Sequence, residues 1–215
     1  MTHRDRNMVI GSIAALVLVL FSYALIDRTV AMLCRNLNQN IIDVFQWITE
    51  LGKSTGYLVG FFVLFIFFKY ARSRHIPANR ALFLFLSIAL SGLITDMIKP
   101  VVGRLRPKMF FEANLYGFDF FHTGWDYNSF PSGHATTVFS LAMALSLFYP
   151  KFRLPLFCFA LIVGASRVII TAHYVSDVLA GAYVGIMTVL FLVYVYGRYD
   201  WKYDEMGLNK ESHHA

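Results

Sequence analysis

Three short stretches carry residue types that bind a phosphate oxyanion or move a proton. They are Lys99-Pro-Val-Val-Gly-Arg-Leu-Arg106-Pro107, then Pro131-Ser132-Gly133-His134, then Ser166-Arg167 followed by His173 and Asp177. Arginine presents a planar fork that matches two phosphate oxygens, and lysine acts as a point charge. Lys99, Arg106 and Arg167 therefore read as a cradle for a phosphomonoester, although each alone also suits a basic side chain reaching for a membrane interface. Ser132 stands where a helix N-cap would precede the apolar run that follows, and Gly133 lets an anion approach the backbone closely. The free N–H groups and the dipole at that helix end favour negative charge. His134 would then sit in the first turn, facing the bound group. His173 and Asp177 are four residues apart, which on a helix places them on one face. A carboxylate bonded to one ring nitrogen fixes the tautomer and leaves the other nitrogen free to attack, the orienting logic of the hydrolase triads with histidine as nucleophile. The plainer alternative is a His–Asp pair that caps a helix.

The elements that must position these groups are apolar. The 215 residues are 57% hydrophobic and 15% charged, with 21 phenylalanines and a mean hydropathy of +0.55; a soluble domain carries about 25% charged residues. A spanning helix needs about 20 mostly apolar residues, and six segments approach that, near 8–26, 55–70, 79–98, 134–150, 154–171 and 175–197. Between the first two, Leu37, Ile41, Val44, Phe45, Ile48 and Leu51 recur at helical spacing among polar residues, the pattern of an amphipathic helix over 29–51. Trp47 suits a bilayer interface. The expected fold is thus all-α: a six-transmembrane-helix bundle with an additional interfacial amphipathic helix, forming one domain over residues 1–215. Met8 to Ile26 is too long an apolar run for a cleavable signal, and no small-x-small site follows it. Cys34 and Cys158 read as free thiols.

All three motifs fall at segment edges, where charge is costly unless it is used. With the N-terminus inside, inner segments hold 11 lysines and arginines and outer ones 8; without Lys99, Arg104, Arg106, Lys108 and Arg167 the outer count is 3. The positive-inside rule then puts both termini in the cytoplasm and every motif on the opposite face. The net charge of +6 is explained by those loop cations, and no basic stripe stands apart from the membrane segments to bind nucleic acid. Asp96, three residues before Lys99, is placed to pair with it, and Arg104 reads as a further phosphate contact. The loop over 108–130 crowds aromatic residues with Glu112, Asp119, His122 and Asp126 and reads as a lid dipping into the headgroup layer. The polar tail, Tyr199 to Ala215, reads as poorly ordered.

With these residues the chain resembles the type 2 phosphatidic acid phosphatase superfamily, which includes bacterial lipid phosphatases, such as those acting on phosphatidylglycerophosphate, and vanadium haloperoxidases. The signature K-x6-RP, PSGH and SR-x5-H-x3-D is matched at every position by Lys99, Arg106-Pro107, Pro131 to His134, Ser166-Arg167, His173 and Asp177. The resemblance implies that His173 attacks phosphorus, that Asp177 orients it, and that His134 protonates the leaving oxygen. It further implies that Lys99, Arg106, Ser132, Gly133 and Arg167 hold the phosphate oxygens, and that no metal or other cofactor is needed. The chain shows no carboxylate cluster suited to Mg²⁺. The implied reaction is hydrolysis of a lipid phosphomonoester or diphosphate in a bacterial inner membrane, with the site facing the periplasm. Phosphatidylglycerophosphate, phosphatidic acid, undecaprenyl diphosphate and lipid A 1-phosphate all fit. A lipid-to-lipid phosphotransferase would use the same groups. A non-catalytic sensor or a transporter is the rival of another class, but a transporter should carry charges or helix breaks near mid-membrane.

Overall fold

The computed structural model describes residues 3–198 of the chain, with side-chain surroundings for 6–197; the tail from Tyr199 lies outside the described residues. Helix α1 (His3–Phe21) passes through a π-helical turn at Ser22–Ile26 into α2 (Asp27–Arg35). There follow α3 (Gln39–Glu50), α4 (Ser54–Ile66), α5 (His75–Val102), α6 (Pro107–Ala113), α7 (Gly133–Phe148), α8 (Arg153–Ile169) and α9 (Val175–Arg198). Local chemistry sets several of these starts. The Asn38 side chain accepts from the Asn40 N–H at 2.9 Å and caps α3. Pro107 opens α6, where a missing N–H removes no helical hydrogen bond.

Among the described residues, five stretches are long and apolar enough to cross a membrane: Arg6–Arg35, Gln39–Ala71, His75–Val102, Pro150–Ile169 and Val175–Gly197. The chain is an all-α integral membrane protein, and beside these five stretches the shorter apolar helix α7 stands where the sixth span was expected. The segment expected over 134–150 forms α7, whose 16 residues extend about 24 Å, short of a hydrocarbon core of about 30 Å. The reason is its place in the bundle. Helix α7 packs against α5, α8 and α9, and eleven of its residues are buried, so protein replaces lipid along most of its length. The expected amphipathic segment 29–51 is also divided. Residues up to Arg35 complete the first helical rod, and only Gln39–Glu50 forms a separate helix. That helix packs on α8, with Thr49 buried and Trp47 80% exposed. Cys34 and Cys158 are free thiols.

Close approach of α7 and α9 fixes the centre of the bundle. A Cβ on Gly181 would fall 2.5 Å from the Ser132 carbonyl oxygen, and one on Gly185 2.5 Å from that of Thr136. This is small-xxx-small packing, in which missing side chains let two backbones touch. Ala135, Val138, Ala142, Ala160 and Val163 form a buried cluster beside the motifs. A second cluster holds Phe83, Ile88, Leu141, Phe148, Val189 and Tyr196. Leu16, Leu93, Leu161 and Phe191 point outward, as an apolar solvent allows.

Candidate active site

The ends of α5, α7, α8 and α9 that carry the motifs meet at one end of the bundle. Helix α5 stops at Gly103, whose φ of +57° a side chain would strain, and a Cβ there would lie 1.6 Å from the Asp119 carbonyl oxygen. The chain turns here and delivers Arg106. That guanidinium donates through Nε to the Trp125 carbonyl (2.7 Å), through Nη1 to that of Ala172 (3.0 Å) and through Nη2 to that of Asn128 (3.2 Å). The first motif is thereby bonded to the approaches of the other two. The Ser132 N–H donates to the Asp177 carbonyl at 3.0 Å, and the Ala172 and His173 N–H groups donate to the Arg167 carbonyl at 3.0 and 3.1 Å. Lys99 Nζ lies 3.5 Å from where a Gly133 Cβ would stand, and it pairs with Asp96 at 3.0 Å as its spacing suggests.

A wall that none of the motifs contains closes the other side. Thr49 Oγ1 accepts from Arg167 Nη1 at 2.7 Å. A Cβ on Gly52 would fall 2.7 Å from His134 Cδ2, so the turn between α3 and α4 packs directly on that ring. His134 is surrounded by Arg167, His173, Lys53 and Lys99, all of them basic groups. Ser132 occupies the N-cap position of α7, yet its hydroxyl makes no cap bond. Instead Ser132 Oγ and Arg167 Nε are buried polar atoms without a hydrogen-bond partner among the described residues. Such atoms are costly unless something satisfies them, and an anion accepting from both would do so.

His173 is 4% exposed. Its Nδ1 lies 2.8 Å from the Ser129 carbonyl oxygen, which can only accept, so Nδ1 carries the proton and Nε2 has the free lone pair. Asp177 Oδ2 stands further from the same nitrogen, at 3.5 Å. Asp177 instead accepts at close range from Ser129 Oγ (2.6 Å), the Tyr174 N–H (2.8 Å) and Arg104 Nη1 (2.5 Å). The nearest partner expected for His173 was Asp177; the structure puts the Ser129 carbonyl there and uses the carboxylate to hold Ser129 and the turn. Burial pushes the His173 pKa down to about 4, against the opposing pull of Asp177. The imidazole is therefore neutral near pH 7.

Arg104 is not a phosphate contact. It is 1% exposed and donates to Asp27 Oδ2 at 2.6 Å as well as to Asp177, inside rings from Tyr23, Tyr116, Phe118, Phe130 and Tyr174. The aromatic loop is likewise divided. Tyr116 stacks on Tyr23 and Phe118 meets the same ring at a tilt, and the Trp125 ring covers Arg106 at 4.0 Å, while Phe120 and Phe121 project outward. Much of the expected lid is thus a fixed part of the wall. Sequence reasoning did not single out Asp27, Thr49, Gly52, Ser129 or Ser176 for the site. Of these only Asp27 left a signal, as a carboxylate at the edge of an apolar span.

Comparison with known proteins identifies the family and the fold. A family model described as the PAP2 superfamily matches residues 80–201, a stretch holding all three motifs. A lipid A 1-phosphatase of Rhizobium etli is 37% identical over 116 residues, covering 54% of this chain and 50% of that protein. A lipid A 4'-phosphatase of Porphyromonas gingivalis is 28% identical over 190 residues, covering 82% of this chain and 76% of that one. The chain thus spans about half the length of the first of these relatives. The structure of Aquifex aeolicus LpxE superposes with a TM-score of 0.59 at 24% identity, over 78% of this chain and 94% of that one. The first transmembrane PAP2 type phosphatidylglycerolphosphate phosphatase from Bacillus subtilis does so at 0.61 and 22%, over 86% and 95%. At these identities the likeness is one of fold.

Proposed function

Since the chain belongs to the PAP2 superfamily, we propose that it is a metal-independent membrane phosphatase that hydrolyses a lipid phosphomonoester or diphosphate through a phosphohistidine. The observation carrying this reading is the convergence of Lys99, Arg106, Arg167 and both histidines at one end of the bundle, where Ser132 Oγ and Arg167 Nε are buried without partners among the described residues. Lys99, Arg106, Arg167, Ser132 and the backbone at Gly133 hold the phosphate oxygens. The neutral His173 attacks phosphorus through Nε2. The bond from phosphorus to the lipid oxygen breaks, and that oxygen takes a proton from His134, which the charge of the bound phosphate holds as an imidazolium against the basic groups around it. The His173 ring now bears phosphorus on Nε2, a proton on Nδ1 and a positive charge, with Asp177 close behind it. In the second step His134 takes a proton from water as its oxygen attacks phosphorus. The N–P electron pair returns to Nε2, and inorganic phosphate leaves. Fixed positive charge around the phosphoryl group supplies most of the barrier reduction.

We read the site as facing the periplasm of a bacterial inner membrane, a reading that the lysine and arginine counts over six crossings support. The lipid enters sideways, since exposing its tails to water costs about 0.8 kcal/mol per methylene. Lipid A 1-phosphate leads the substrate candidates, because relatives are named for lipid A phosphates. The test is phosphate release by purified protein from lipid A 1-phosphate, phosphatidylglycerophosphate, phosphatidic acid and undecaprenyl diphosphate, with and without chelator. Turnover of at least one, unchanged by chelator and absent in His173→Ala, is expected. Chelator-sensitive turnover, or a fully active His173→Ala protein, would contradict it.

A further inference from the structure

Asp27 lies far from the three motifs in sequence and outside residues 80–201 of the family match, yet it is 1% exposed and its carboxylate is saturated. Oδ1 accepts from Ser22 Oγ (3.1 Å) and the Ser176 N–H (3.0 Å). Oδ2 accepts from Arg104 Nη2 (2.6 Å) and, at very close range, from Ser176 Oγ. The π-helical turn Ser22–Ile26 ends just before it. Such a turn inserts a residue into the helix, and one residue rotates the following side chains by about 100°. The first helix is thus wound locally so that Asp27 reaches Ser176, the neighbour of Asp177.

Arg104 bridges the two carboxylates through separate nitrogens, Nη2 to Asp27 and Nη1 to Asp177 at 2.5 Å. The cluster therefore holds two negative groups against one positive group. Five aromatic rings within 4.8–5.9 Å of the guanidinium carbon keep water from it. A buried ion pair is no stability gain in itself, and apolar residues of similar volume often serve as well. The surplus negative charge points to another use.

We propose that Asp27 and Arg104 are positioning residues for the reaction: Arg104 fixes Asp177 behind His173, and Asp27 supplies the surplus negative charge that meets the positive charge of the phosphorylated ring. This rests on the reading of His173 as the nucleophile. When Nε2 bonds phosphorus and Nδ1 keeps its proton, the ring gains one positive charge, and the two carboxylates and guanidinium then balance it. Stabilisation placed where charge develops raises kcat without tightening ground-state binding. Other charged or titratable groups facing His173 are Arg106, Arg167 and His134, all basic, so the compensating negative charge comes from the Asp27–Asp177 side alone among the groups named here.

The test compares Asp27→Asn, Arg104→Lys and wild-type protein in detergent, measuring kcat, KM and thermal unfolding with phosphatidic acid or whichever of the four lipids wild type turns over fastest. Asp27→Asn keeps the shape and removes the charge; Arg104→Lys keeps the charge and removes the fork. In each, kcat is expected to fall tenfold or more, with KM within threefold and the folded protein retained. A kcat within twofold of wild type in Asp27→Asn overturns the proposal. So does a loss of the folded protein in both variants, which would make the cluster a fold anchor only. A wild-type protein inactive on all four lipids would remove the underlying function instead, whereas an active wild type with an unaffected Asp27→Asn removes only this proposal.

Discussion

Arg104 and Arg106 stand two residues apart and are both buried, but their charges are handled in opposite ways. Arg104 is met by two carboxylates. Burial works against its charge, but Asp177 and Asp27 outweigh burial and its pKa is raised. Arg106 is met by three carbonyl oxygens and a Trp125 ring. Burial lowers its pKa, and the more distant Asp177 and Asp126 only partly oppose this. Carbonyls orient a guanidinium without neutralising it. Arg106 thus keeps an uncompensated positive charge in a fixed direction, which suits an arriving anion, while the Arg104 charge is already spent. Two cations of one motif are separated into anchor and cradle by the identity of their acceptors alone.

The sharpest way to break this comparison is to remove each arginine. Arg104→Ala would leave two buried carboxylates unpaired, a loss of about 3–5 kcal/mol, and the apparent melting temperature in detergent should fall by about 10 °C. Arg106→Ala exposes only neutral carbonyls, so its melting temperature should fall less, while kcat/KM drops about 10²- to 10³-fold. Equal melting losses in the two variants would erase the distinction. A smaller effect is expected at the opposite wall. Gly52→Ala would drive a Cβ to 2.7 Å from His134 Cδ2 and 3.0 Å from Val163 Cγ1, and displacing that ring should lower kcat about tenfold at a stability cost of about 1–3 kcal/mol.

A further effect concerns pH. His173 is held down to about 4 by burial, against about 6.5 in an unfolded chain. Between those values the unfolded state binds more protons, so stability rises with pH through that window and is lost as pH falls. Melting temperature measured from pH 4.5 to 7 should rise, and a His173→Asn variant should show a shallower rise. An identical slope in the variant would show that the ring is not held neutral.

Much of the site was legible because catalytic groups come as fixed types at fixed spacings. Lys99, Arg106, Ser132, Gly133, His134, Arg167, His173 and Asp177 could be picked from residue chemistry and are drawn to one end of the bundle. Apart from the Lys99–Asp96 pair, spacing could not supply the partner of each group. Arg104 and Arg106 look alike in a sequence, and only the folded chain shows which meets carboxylates. Ser129 acts on His173 through a backbone carbonyl, which has no residue-type signature. Gly52 matters because helix α3 brings it against His134, a contact between residues 82 positions apart. The helices were legible from apolar runs, but the shortness and deep burial of α7 were not, because burial in protein and burial in lipid give the same apolar run. The division of residues 29–51 at Asn36–Asn38 went unread because helical spacing continues across the turn.

The most direct test of the central claim is to trap the intermediate. Purified protein is mixed for milliseconds with a lipid substrate carrying ³²P in its phosphate, quenched in alkali, and digested to locate the label. The account predicts label on His173 that survives alkali and is lost in acid, as expected of a phosphorus–nitrogen bond, with none in His173→Ala. Label on another residue, or phosphate release by wild type with no labelled protein at any quench time, would contradict it.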